Sequence, residues 1–154
     1  LKHWNWATKN PNPREKASFL KENLDPIRSS GALSFVSEHK KGFGFKKELG
    51  FDILYVNGHT EKQMIPRMSY QNKSLVFAAD LLPTAGHVPV PYVMGYDVKP
   101  LISMNEKELF LKEAVENNYY LFLEHDPHNE IITLKNTEKG VRIDKTFTFD
   151  EIFN

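Results

Sequence analysis

Short apolar runs with a period near two dominate this chain from its second quarter onward. Phe51 to Val56 reads as a strand, ending at Gly58-His59. Met64 to Tyr70 and Leu75 to Ala79 predict a hairpin around Gln71-Asn72-Lys73. Tyr119 to Leu123 predicts a short buried strand. Glu130 to Leu134 and Val141 to Phe147 predict a pair around Lys139-Gly140, and Leu33 to Val36 an early strand, with Lys40-Lys41-Gly42 as a surface turn. Helical signals are fewer. Asn12-Pro13-Arg14-Glu15 combines a capping residue with proline at a first helical position, and Ala17, Leu20, Leu24 and Ile27 follow at helical spacing up to Pro26 and Gly31. Ser103-Met104-Asn105-Glu106 has the form of a capping box, with Phe110, Leu111, Ala114 and Val115 as the buried stripe behind it. Phe149 to Phe153 suits one last helical turn. Leu1 to Ala7 reads as an extended segment with Trp4 and Trp6 on one face.

Strands thus interleave with a few helices, and two of the strand pairs read as hairpins. Between them, Leu81 to Leu101 has no period and carries Pro83, Pro89, Pro91 and Pro100. A long irregular stretch inside a domain often serves function, so this segment is expected to line a site or a subunit contact.

Composition narrows the classes. Twenty basic and twenty acidic side chains cancel, which argues against an electrostatic nucleic-acid binder. There are no cysteines, so disulfides and thiolate metal sites are excluded. No apolar stretch approaches the roughly 20 residues of a membrane span. The first residues lack the pattern of a secretory signal, so a cytoplasmic protein is expected, unless a segment ahead of Leu1 carries an address. The 154 residues suit one domain, with no second one.

Three apolar runs end in metal-capable side chains: Val56-Asn57-Gly58-His59-Thr60, Phe77-Ala78-Ala79-Asp80, and Phe122-Leu123-Glu124-His125. Imidazole nitrogen and carboxylate oxygen are good zinc donors, and a sheet holds its strand ends in fixed directions. Each residue alone also suits a structural role, His59 in a turn and Asp80 as a cap. His87 and the aromatic rings of Tyr92 and Tyr96 are candidates for substrate or supporting contacts. His128 is an alternative to His125, and His39 sits beside lysines.

Gly58-His59-Thr60, Ala79-Asp80 and Glu124-His125-Asp126, in this order, resemble the C-terminal half of the metallo-β-lactamase-fold hydrolases. The spacings of 21 and 45 residues are similar to the lactonase-like branch. The resemblance implies an αββα sandwich, of which residues 1–154 would be the C-terminal part of one domain: an α/β (α+β) half with a mainly antiparallel sheet and helices on one face. It implies two divalent metal ions, zinc by preference, with His59 on the first, Asp80 bridging, and His125 on the second. A hydroxide held between them would attack a lactone or ester carbonyl of a small-molecule substrate. The family's His-x-His-x-Asp-His cluster does not occur in this chain. The expectation is therefore weak or no metal binding by this chain alone, and activity only with a missing N-terminal half. An uncovered sheet face would favour self-association or pairing with that half. The alternative function is a non-catalytic, truncated interaction and assembly domain.

Overall fold

The computed structural model describes residues 1–9, 11–36, 43–48 and 50–153. Its centre is a seven-stranded sheet whose spatial order follows the chain. The strands are β1 (Lys46–Glu48), β2 (Phe51–Val56), β3 (Gln63–Tyr70), β4 (Lys73–Phe77), β5 (Tyr120–Phe122), β6 (Ile131–Thr137) and β7 (Gly140–Phe147). All neighbouring pairs are antiparallel except β4 with β5. A parallel pair needs a long crossover. Residues 78–119 supply it, and they contain helix α3 (Pro100–Glu116).

The β3–β4 hairpin has the two-residue loop Gln71-Asn72. Both residues have positive φ, which matches the twist of the flanking strands. On one side of the sheet Leu54, Val56, Ile65, Val76, Leu121 and Ile132 are fully buried. They pack with Phe110, Leu111 and Ala114 of α3 in the main core. The opposite side is also apolar. There Leu75 and Ile131 pack on Ile152 of the short helix α4 (Phe149–Phe153), with Phe122, Phe147 and Phe153 around them. Beyond α4 this side opens, leaving Met64, Met68 and Tyr70 of β3 about half exposed.

The first part of the chain departs from the sequence reading. Lys2–Lys9 form a helix, α1, rather than an extended segment. Asn12 caps no helix: its Oδ1 accepts the backbone N–H groups of Arg14 and Glu15, but these open a run of turns. Residues 13–18 then form a series of turns, and the helix α2 runs from Lys21 to Ser29 with Pro26 inside it and no buried residue. It therefore does not cover the sheet. The reason is local: Glu15 turns inward to Trp6 and Asn12, and the apolar residues Leu20 and Ile27 remain about half exposed. Leu33 to Val36 is not a strand, because its backbone joins no ladder among the described residues. His39 and the Lys40-Lys41-Gly42 turn lie outside the described residues. The later helix starts at Pro100, not at Ser103. Proline at the first helical position leaves no N–H to satisfy, while Ser103 lies buried inside the helix and Glu106 serves another partner. No helix among the described residues is long and apolar enough to cross a membrane.

Candidate metal centre

β2 ends at Val56, and the chain turns through Asn57-Gly58 to present His59. Glu106 of α3 holds this turn: its carboxylate accepts the backbone N–H groups of Asn57 and Gly58, each at 2.9 Å. Gly58 lies so close to α3 that a Cβ there would stand 2.2 Å from the Ser103 backbone nitrogen. Only glycine fits this approach. The other side of the turn is tied by Lys99 N–H to Gly58 O at 2.8 Å and Val98 N–H to His59 O at 3.2 Å.

Asp80 and His125 reach the same sheet edge because β4 and β5 are parallel neighbours with Phe77 opposite Phe122. After β4, Ala78 N–H still bonds Phe122 O at 3.0 Å. Ala79 then takes φ 44°, a left-handed conformation unusual for a residue with a Cβ, and starts the single 3₁₀ turn that carries Asp80. Asp80 thus leaves the strand through a strained corner. His125 is fixed by its N–H to Pro83 O at 3.1 Å. The next residue, Asp126, accepts Ala85 N–H with one oxygen and His128 and Asn129 N–H with the other. Desolvation works against its charge, but these bonds outweigh it and hold the carboxyl below its ordinary value.

The three side chains meet. His59 Nε2 lies 3.3 Å from Asp80 Oδ2, and His125 Nε2 lies 3.1 Å from Asp80 Oδ1. Each imidazole takes a different carboxylate oxygen. Two donors on one tetrahedral zinc stand roughly 3.2–3.5 Å apart, from metal–ligand distances near 2.0–2.2 Å. Both contacts lie close to such an edge.

Asp97, which the sequence reading passed over, accounts for the orientation of His59. Its buried carboxylate accepts Nδ1–H of His59 at 3.0 Å. With Nδ1 so engaged, the Nε2 lone pair of a neutral ring would face a carboxylate oxygen. A proton or a cation must lie between them. Burial alone would lower the His59 pKa, but the Asp97 hydrogen bond and the charges of Asp80, Asp97 and Glu15 outweigh it and raise it above 6.5. A carboxylate behind a ligand imidazole, fixing its tautomer, is the usual second partner at zinc sites. The donor set and its directions therefore fit divalent metal. Glu124 adds an exposed carboxylate: one oxygen of it, one of Asp80 and a nitrogen of His125 lie within 4.8 Å of one another.

These residues open into a cavity of about 470 Å³, lined by His59, Asp80 and His125, with His3, Glu15 and Gln63 among the other walls. Tyr96 stands at its mouth. His87 and Tyr92 do not line it. His87 instead pairs its Nδ1 with Thr84 Oγ1 at 2.8 Å, and Tyr92 is exposed. Desolvation and the nearby Lys107 charge push the His87 pKa down. His128 is exposed, and its backbone N–H bonds Asp126.

No protein-family profile and no curated protein sequence matches the chain. Solved structures do match. A probable metal-dependent hydrolase from Staphylococcus aureus superposes with a TM-score of 0.76 at 24% identity, over 95% of this chain and 49% of its own. The hydrolase AbOPH of the beta-lactamase superfamily gives 0.70 at 16% identity, over 96% and 52%. AidC, a dizinc quorum-quenching lactonase in complex with a product, N-hexanoyl-L-homoserine, gives 0.66 at 20% identity, over 95% and 53%. The chain spans about half the length of the solved structures it matches. Its fold is that of one half of the metallo-β-lactamase sandwich, the scaffold on which these metal-dependent hydrolases are built.

Proposed function

We propose that this chain is the C-terminal half of a metal-dependent hydrolase acting on a small lactone or ester. The observation that carries the reading is the division of Asp80 between two imidazoles, one on each oxygen. Asp80 would hold divalent metal, zinc by preference, together with His59 beside one of its oxygens and His125 beside the other. Bound metal of this kind lowers the pKa of water from about 15.7 to about 7 and polarises a carbonyl oxygen. The chain's own residues orient and shield. Asp97 keeps the His59 Nε2 turned toward the centre, Glu106 and Gly58 hold the backbone beneath it, and the cavity walls Phe19, Met64 and Met94 give the substrate an apolar bed.

Even with the exposed Glu124 beside them, three donors would not complete two ions, and on this reading the remaining ligands would come from a His-x-His-x-Asp-His segment of the full-length protein. The cytoplasm is the proposed setting, with neither nucleic acid nor membrane as partner. Isothermal titration with zinc tests the division of the site. This chain alone should bind weakly, and a tight stoichiometric site would refute the reading. Metal content and intact mass of the natural full-length product supply the complementary test.

One observation favours a second reading, a non-catalytic assembly domain: the half-exposed Met64, Met68 and Tyr70 on the open side of the sheet. Contiguous apolar surface of this kind marks interfaces. Both readings predict self-association or pairing with a second half, and size-exclusion chromatography would count against either by returning a dilute monomer that binds no exposed-surface dye. An in-frame His-x-His-x-Asp-His cluster upstream separates them in favour of the hydrolase.

A further inference from the structure

Glu15 is 4% exposed, and its two oxygens are treated unequally. Oε2 accepts Trp6 Nε1–H at 2.7 Å and Asn12 Nδ2–H at 2.6 Å. Oε1 is buried with no hydrogen-bond partner among the described residues. Gln63 repeats the pattern. Its Nε2 points to Asp80 Oδ2 at 3.5 Å, and its Oε1 is buried without a partner. Both residues line the cavity that holds His59, Asp80 and His125. Among the described residues two other buried oxygens lack partners, Asn57 Oδ1 and Ser103 Oγ, but neither residue lines the cavity. Arg14, one of the two cations flanking Glu15 in sequence, donates its guanidinium to Gly95 O. Buried acceptors without donors are uncommon and costly, and each calls for a completing partner, whether water, ion or ligand.

We infer that Glu15 and Gln63 form an acceptor pair for a hydrogen-bond donor on the substrate, an N–H or O–H carried alongside the ester or lactone group. The inference rests on the cavity being the hydrolase site. A site built around unpaired acceptors rejects an analogue that lacks the donor, because the acceptors then stay desolvated and unpaired. Glu15 is thus a specificity residue. The two donors on Oε2 also set its orientation. In a Glu15→Gln variant the amide oxygen is needed by Trp6 and Asn12, so the NH₂ group faces the cavity, donor against donor.

The test uses the 154-residue chain and two acids of equal size, 4-hydroxybutyrate and pentanoate, titrated by backbone NMR. The first ends in a neutral O–H donor and the second in a methyl group. Native protein should bind 4-hydroxybutyrate more tightly by about tenfold or more. Glu15→Gln should abolish that preference with its thermal midpoint little changed. Gln63→Met, which keeps the Glu15 cluster intact, should reduce the preference without abolishing it. Equal affinities for the two acids in native protein, failure of both to bind at millimolar concentration, or a preference that survives Glu15→Gln would each overturn the acceptor pair. In those cases the hydrolase reading stands so long as any shifts that occur fall on His59 and His125. Shifts that avoid the cavity altogether would sink both.

Discussion

Glu106 Oε2 accepts the backbone N–H of Gly58 at 2.9 Å, so a helix side chain holds the turn from which His59 projects. The two residues are 48 positions apart. Hydrogen bonds to a charged acceptor contribute about 1.5–3 kcal/mol each, and this carboxylate takes two backbone donors. Glu106→Ala should therefore destabilise the chain by about 3–6 kcal/mol in urea unfolding. Gly58→Ala should be at least as damaging, because its new Cβ meets α3 backbone rather than a side chain that can move.

The His59–Asp97 bond should be visible without metal. ¹⁵N NMR of the imidazole at a pH above the raised His59 pKa should find Nδ1 protonated and Nε2 bare. Asp97→Leu should mix the two tautomers and leave His125 unchanged. A native ring carrying its proton on Nε2 would contradict the proposed presentation of His59.

Ala79 is strained by its positive φ, which glycine adopts freely. Ala79→Gly should stabilise the protein by up to about 1 kcal/mol, or at worst be neutral, since relief of strain is offset by added freedom of the unfolded chain. Ala79→Val, branched at Cβ, should cost more than about 1 kcal/mol, roughly the strain of that region. Thermal midpoints of the pair check this, and a Gly variant less stable than the Val variant would be incompatible with the corner as described.

Lys107 is 1% exposed, and its Nζ donates to the carbonyls of His87, Pro89 and Tyr92, pinning the proline-rich crossover to α3. Burial pushes its pKa from 10.5 to about 8, against an opposing pull from Asp97. Between those two values the unfolded chain holds a proton that the folded chain has released. Stability should therefore rise with pH across that window, by at most about 3 kcal/mol, and show no slope from this group below about pH 8. Tyr119, whose pKa is raised chiefly by burial and by Glu113, acts in the opposite sense above pH 10. The comparison of native protein with Lys107→Met by chemical denaturation at about pH 7.5, 9 and 10 isolates the lysine. The native advantage over the variant should widen with pH, and a constant difference would refute the assignment.

What the amino-acid order determined by itself is the set of local periods and their punctuation. The alternation in Phe51–Val56, the paired runs on either side of Gln71-Asn72, and the apolar stripe of Phe110, Leu111 and Ala114 each carry their geometry within a few residues, and the sheet and α3 formed there. The positions of His59, Asp80 and His125 at one sheet edge were legible for the same reason, since each follows a short apolar run. The tertiary structure decided the rest. Leu33 to Val36 had the pattern of a strand but no ladder to join, and Glu106 had the spacing of a capping box but bonds a turn 48 residues away. Asp97, Glu15 and Gln63 reach the site from separate parts of the chain, where no local period marks them. A residue's neighbours along a helix or strand are set by backbone geometry. Its partners across the molecule are set by which faces pack together, and only the folded chain brings those faces into contact.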